Sequence, residues 1–295
     1  MTTTAFDEHE RAHWAGRAAA YQGSFAALCA HPAGALLDAA GVVAGDRLLD
    51  VGTGTGTVAA LACSRGARVV AVDAEPSMLE LARGRAPAAE FHHTALPELP
   101  FPGGAFDAAV ANFVLNHVGD PAAAVRELCR VVRPGGRIAV TIWPHPAPPA
   151  QRLWTTIFEA AGVERPTDLP RVAPDRDFPR TRDGLAGLLD QPGLTGVRCD
   201  ILTWTHHTDA ESWWSGPANG LGLPGVLMGR QDPATVGRIR DQYDRHTTGY
   251  RDAQGRLALP TAALLASGCV ADRQDQLRGG RVEWRGAVHG DPESA

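Results

Sequence analysis

"LLDVGTGTGTVA", residues 48–59, decides how this chain is read. A short apolar run ends at a carboxylate, Asp50, and glycines follow at positions 52, 54 and 56. A run of this kind fits a strand buried on both faces, and the residues behind the glycines carry a helical pattern. Glycines at a strand-to-helix turn let the backbone approach a ligand with no Cβ between them. The spacing is G-x-G-x-G, so the position where a dinucleotide fingerprint needs its third glycine holds Thr57. Asp50 would repel a pyrophosphate and attract a cationic amino group.

The alternation of strand and helix continues outward. "RLLDV" (47–51), "RVVAVD" (68–73), "EFHH" (90–93), "FDAAVANFV" (106–114) and "RIAVTIW" (137–143) read as strands one to five. Between them lie helices at "TVAALACSRG", closed by Gly66, at "PSMLELARGRA", with Pro76 in its first turn, and at "PAAAVRELCRVV", opening on Pro121. Buried strands spaced by helices imply an α/β, doubly wound parallel sheet. Residues 6–40 read as two helices ahead of it, the second opening at "HPAGALLDAAG". Beyond Trp143, the proline-rich "PHPAPPA" leads to helices at "QRLWTTIFEAAG" and "TRDGLAGLLDQPG" and to a strand at "VRCDILTWTHH" (197–207). The insertion "ESWWSGPANGLGLPGVLMG" and the helix "PATVGRIRDQYDRHTTGY" precede a last strand near "RLALPTAALLAS". This divides the chain into N-terminal helices acting as a lid (1–45), a cofactor-binding core (46–143), completion of the sheet with substrate-binding cap insertions (144–273) and a C-terminal tail (274–295).

Composition excludes several chemistries. All 28 basic residues are arginine, so there is no lysine for a Schiff base, a pyridoxal phosphate anchor or a Walker loop. A net charge of −5 without long basic runs argues against nucleic acid as a partner. No apolar run approaches the roughly 18 residues of a membrane helix, and the first residues lack the pattern of a secretory signal. Cys29, Cys63, Cys129, Cys199 and Cys269 are scattered with no CxxC spacing, which suggests neither zinc nor disulfides and fits a reducing cytoplasm. His92-His93 and His206-His207 are strand neighbours pointing to opposite faces, so no metal is expected there.

Asp73, ending the second strand, is set to accept hydrogen bonds from ribose hydroxyls. A nucleoside with a cationic tail and no phosphate satisfies the loop best, and that ligand is S-adenosyl-L-methionine (SAM), with S-adenosyl-L-homocysteine (SAH) as the spent form. Residues 47–143 also resemble the class I SAM-dependent methyltransferases, especially the small-molecule branch related to quinone-biosynthesis enzymes. The matching segments are "LLDVGTGTGTVA", "VVAVDAEPSMLELAR", "LPFPGGAFDAAVANFVLNHVGDP" and "ELCRVVRPGGRIAVTIW", in the family's order and spacing. The resemblance implies a Rossmann-like seven-stranded sheet whose last strand is antiparallel, with a helical cap from insertions after strands five and six. It implies that Asp50, Gly52, Gly54 and Gly56 hold the methionine end, that Asp73 binds ribose, and that Ala74 and Met78 lie against adenine. It further places Asn112 and Phe113 beside the methionine portion and the methyl group, His117 after the fourth strand, and Trp14 and Tyr21 on a helix closing over the cofactor. Where the family usually carries an Asp for the adenine amino group, this chain has Ala95, leaving backbone at Leu96 or stacking to hold the ring. Glu75 likewise stands where Ser or Thr is frequent.

Methyl transfer from a sulfonium is an in-line displacement, so alignment of the reactants and exclusion of water are the protein's main tasks. A base is needed only for an acceptor that must lose a proton. His145, His206 and His207 are the candidates, with Tyr21 and Tyr243 to orient the acceptor. Trp143, Trp204, Trp213 and Trp214 either line an apolar acceptor pocket, aromatic or terpenoid-like in its preference, or glue the cap to the core. The leading expectation is a cytoplasmic small-molecule methyltransferase, with association of copies through the N-terminal helices left open. A SAM-binding cyclase, an NAD-dependent oxidoreductase and a binding protein with a relic pocket are the rivals.

Overall fold

Leu48 and Leu49 are adjacent, fully buried, and packed into different cores. That alternation, possible only for a strand covered on both faces, organises the computed structural model, which describes residues 3–272. The expected tail, 274–295, lies outside the described residues. The strands are β1 (Arg47–Val51), β2 (Arg68–Asp73), β3 (Glu90–His93), β4 (Phe106–Asn112), β5 (Val132–Ile142), β6 (Leu194–Thr208) and β7 (Leu257–Val270). They form one sheet in the order β3-β2-β1-β4-β5-β7-β6. β1 to β5 are parallel; β7, the last in sequence, runs antiparallel between β5 and β6. Strand order reverses at β1 and β4, and open α/β sheets bind ligands in the crevice at such a switch point.

On one face Leu49, Val70, Ala109 and Val140 pack with residues of helices Pro121–Val131 and Arg182–Asp190. On the other, Leu48, Val69, Ala108 and Ala139 pack with helices Ala33–Ala39 and Thr57–Ser64. A third core lies beyond the sheet edge. The β5 pairing stops at Ile142↔Leu264, while β6 and β7 continue together to Thr208↔Leu257. Around this projecting ribbon Trp154, Phe158, Trp213, Ile239 and Tyr243 join Leu257 and Leu259. They come from helices Pro149–Ala160, Ala210–Ala218 and Pro233–Thr247, the cap expected after strands five and six.

Three local expectations are corrected. The N-terminal region forms four short helices rather than two, Ala5–Trp14, Ala18–Gly23, Ala26–Ala30 and Ala33–Ala39. Gly16 with a φ of 70° and Pro32 stand at two of the breaks. β4 ends at Asn112 rather than residue 114, because Phe113 adopts a left-handed φ of 60° that no strand continues through. β5 begins at Val132, five residues before the apolar run.

Candidate cofactor and acceptor site

The glycine loop turns at the carboxyl end of β1, with Asp50 beneath it. Asp50 is 1% exposed. One carboxylate oxygen accepts from the Thr53 hydroxyl at 2.7 Å, and the other makes no hydrogen bond. Burial pushes the Asp50 pKa up to about 7, with the Asp73 charge adding to the rise and the Thr53 hydroxyl and nearby Ala59 amide opposing it. A buried carboxylate oxygen with no donor is an expensive feature unless a ligand supplies one. Asp73, at the end of β2, accepts from the Gly54 amide at 2.8 Å and the Glu75 amide at 3.0 Å. A carboxylate has about four acceptor positions, so these two bonds leave room for hydroxyl donors. Burial raises the Asp73 pKa against the pull of those amides. The three glycines all have positive φ. Gly56 serves packing: a Cβ there would stand 2.9 Å from Ala82 Cα on helix Pro76–Arg85.

The N-terminal segment covers this crevice through polar ties to two loops. The Asp7 carboxylate accepts from the Gly119 amide at 2.7 Å, and Glu10 meets His117 Nδ1 at 2.7 Å. Gly16 donates to Glu75 Oε1 at 3.1 Å. The same Glu75 oxygen accepts from the Ser77 amide, so the residue that departs from the usual Ser or Thr caps its helix and anchors the cover. Trp14 stands edge-on to both Tyr21 and His117, with centroids 5.8 and 5.4 Å away. The Tyr21 ring lies 3.7 Å from where a Cβ on Gly54 would be. Its hydroxyl is deep beside the Cys29 thiol, and burial, then Cys29 and Asp73, hold its pKa well above the ordinary phenol value. Toward the β3 side, a pocket of about 560 Å³ is bounded by Ala74, Glu75, Ala95, Leu96 and Glu98, with Asp7 and Arg11 above it.

Past β4 the surroundings become aromatic. Asn112 donates to the Cys29 carbonyl at 2.8 Å and accepts from the Thr141 hydroxyl at 2.6 Å. Thr141 also receives the Phe113 amide, at 3.0 Å. So held, Phe113 stacks on Trp143 with centroids 3.9 Å apart. Trp143 lies 6.4 Å from Trp204, which stacks on His31 at 4.6 Å. Beside Trp204 opens a pocket of about 720 Å³ between the proline-rich segment 144–149, Arg180 to Arg182, and the β6/β7 ribbon.

Residues 49–140 match a family described as the methyltransferase domain. A demethylmenaquinone methyltransferase of Beutenbergia cavernae is 38% identical over 184 residues, covering 57% of this chain and 74% of that protein. The chain belongs to the class I SAM-dependent methyltransferases. A demethylmenaquinone methyltransferase of Clavibacter sepedonicus is 41% identical over 122 residues, 40% of this chain and 50% of that one. The chain spans about half the length of several of the curated relatives it matches. The YcgJ protein of Bacillus subtilis shares the fold, with a TM-score of 0.52 at 20% identity over 82% of this chain and 99% of that chain.

Several residues expected to hold a cofactor lie close together in the fold. Asp50, the glycine loop, Asp73, Trp14, Tyr21 and His117 border one crevice, with Ala74, Ala95 and Leu96 around the adjoining pocket and Met78 buried in helix Pro76–Arg85. Asn112 sits at its far side with both amide atoms already bonded to protein, so it braces the β4 turn. The candidate bases separate. His206 is buried, its pKa pushed down to about 4 by burial, then by His207, Arg256 and His31. His207 is corrected: it faces the other way, is exposed and lies 3.4 Å from Asp252. His145 is exposed on the rim of the larger pocket. Tyr21, expected to orient the acceptor, lies in the cover beside Trp14 and the Gly54 turn, and its raised pKa keeps its hydroxyl protonated. Tyr243 is corrected too: it is fully buried and its hydroxyl donates to the Ala210 carbonyl at 2.5 Å. Trp213 (2% exposed) and Trp214 pack with Trp154 and Tyr243, which makes them the glue of the cap. Sequence reasoning missed Glu10 and Trp154, and noted Glu75 only as a departure, without its part in capping the helix and anchoring the cover. An N-cap position before Pro76 was a readable signal for Glu75; Glu10 and Trp154 gave none.

Proposed function

We propose that this chain transfers the methyl group of SAM to a small, flat, apolar acceptor of quinone or terpenoid-like type. The observation that carries the proposal is the stack of Phe113 on Trp143 at the end of the cofactor crevice. The names of the menaquinone-pathway relatives support the same acceptor class. When bound, SAM supplies an electrophilic methyl carbon on a sulfonium sulfur. Asp50 would hold the ammonium through its unpaired oxygen and Asp73 the ribose hydroxyls. Gly52 and Gly54 let the loop lie close to the methionine end, while Ala74, Met78 and Leu96 flank the adenine. Loss of an adenine-binding Asp at position 95 leaves that ring to backbone and apolar contacts. The outer face of Trp143, backed by the buried Phe113 ring, would orient a planar acceptor and keep water out.

The division into a lid (1–45), a core (46–143) and a cap (144–273) belongs to this proposal. So does a cytoplasmic setting, favoured by five free cysteines. Association of copies through the N-terminal helices would have to use the side of Ala5–Trp14 turned away from His117. Calorimetric titration with SAM, SAH and NADH, alongside an Asp73→Ala variant, tests the cofactor. Binding of the two adenosyl ligands alone, lost in the variant, is the expected result; tight NADH binding or no binding would overturn it.

A further inference from the structure

β6 is the outermost strand of the sheet, and among the described residues no strand pairs along its outer side. Which of its residues offer backbone to that side follows from the register. The Thr141 carbonyl accepts from the Phe113 amide, toward β4, so the backbone groups of the next residue, Ile142, face β7. Ile142 pairs with Leu264, which therefore faces β5, and the alternate residues Thr261, Ala263 and Leu265 face β6. Their partners there, Trp204, Leu202 and Asp200, are turned inward. Ile201, Thr203 and Thr205 thus present their N–H and C=O groups outward. This run is closed at both ends: Arg182 donates to the Cys199 carbonyl at 3.1 Å, and Arg256 to the His207 carbonyl at 3.0 Å.

An open edge recruits another strand unless charge, proline or a short length blunts it. β6 is 15 residues long, and from Ile201 to Thr205 it carries neither charge nor proline. The side chains of Ile201 (52% exposed), Thr203 and Thr205 share one exposed face. They line the pocket of about 720 Å³ whose opposite wall is Pro144, Pro146, Pro148 and Pro149. A strand added here gains main-chain hydrogen bonds and flanks an apolar groove in one step.

The open run is also its own complement. Cys199 and His207, whose carbonyls are taken, stand equally far from Thr203 on either side. A two-fold axis at Thr203 sets that residue against its own copy, and Ile201 against Thr205 of the partner subunit. In an antiparallel ladder each such pair exchanges two hydrogen bonds, and no charge meets a like charge.

We propose that this chain forms a two-fold dimer by antiparallel pairing of β6 edges about Thr203, which joins two sheets into one and sets the two proline-walled grooves side by side. Three strands separate β6 from β1, so the glycine loop of each copy stays clear of the junction.

Sedimentation of the full chain at micromolar concentrations should give twice the 31.1 kDa of one copy. Thr203→Asp and Thr203→Arg each set like charges face to face across the axis and should weaken the dimer about tenfold or more. Mixing the two variants in equal amounts should restore it. Thr203 is exposed, so neither change should move the melting temperature of the separated chains. Amide exchange at residues 201, 203 and 205 should slow as concentration rises. A monomer at every concentration overturns the proposal. So does a dimer indifferent to both substitutions, as association through the N-terminal helices would give, or a mixture no tighter than either variant alone. Protection of these amides that ignores concentration assigns the edge to another segment of the same chain and overturns it equally.

Discussion

Replacing Asp50 by Asn removes a charge that the fold without ligand holds at a cost. Its pKa rises from 3.8 to about 7, chiefly through burial. At about 1.4 kcal/mol per unit, the ionised form is on the order of 4 kcal/mol less favourable in the folded chain than in the unfolded one. The sign follows from proton binding. Between about pH 4 and pH 7 the folded state keeps a proton that the unfolded state has lost, so stability falls as pH rises through that window and levels off above it. Asn keeps a carbonyl for the Thr53 hydroxyl and never ionises. Asp50→Asn should therefore raise the melting temperature by roughly 10 °C at pH 8 for a chain of this size, with the gain shrinking toward zero near pH 4. Differential scanning calorimetry of both proteins across pH 4–8 measures it. Adding SAH should reverse the ranking, because its ammonium would favour the carboxylate: the parent is stabilised and the variant much less so. A variant that melts lower at pH 8, or an offset that ignores pH, would refute the assignment of an unpaired buried carboxylate.

Gly56→Ala adds a Cβ within 2.9 Å of Ala82 Cα at a φ of 82°, and should cost about 1–3 kcal/mol in chemical denaturation. Trp213→Ala should cost about 3–5 kcal/mol and lower the melting temperature of the whole chain, since the ring is 2% exposed in the cap core. Burial works to raise the Glu10 pKa, but its hydrogen bond to His117 and the charges of His117, His13 and His9 bring it below the ordinary value. A carboxylate so lowered stabilises the cover above the unfolded value of 4.5 and loses that contribution as pH falls. Amide exchange over residues 5–14 should quicken as pH drops below that value, after correction for intrinsic rates. In Glu10→Gln it should be fast and insensitive to pH.

β1, β2, β4 and β5 were legible because both of their faces are buried, so their apolar runs are uninterrupted between glycine and proline signals, whereas β3, half-exposed at the sheet edge, gave the weakest signal. The same logic separated His206 from His207 by the strand's two-residue period. Less visible was whatever depends on contacts distant in sequence. Nothing around Phe113 announces a left-handed turn; its amide is held by Thr141, 28 residues on. The breaks among the N-terminal helices left little trace in the sequence, and the partners that tie them down, Gly119 and Glu75, belong to other loops. The tryptophans told of an aromatic cap, but only their neighbours sort Trp213 and Trp214 into its core and Trp143 and Trp204 along its inner wall.

The cover has a consequence for timing. A ten-residue helix, Ala5–Trp14, is fastened by Asp7 and Glu10 on one side, and Gly16 just beyond its end on the other. On the proposed reading, exchange of one nucleoside for the next would wait on a detachment of that short segment, a local opening far easier than unfolding the sheet. Turnover would be paced by how often ten residues let go. Low concentrations of urea, which loosen such segments first, should then hasten the enzyme before they harm it.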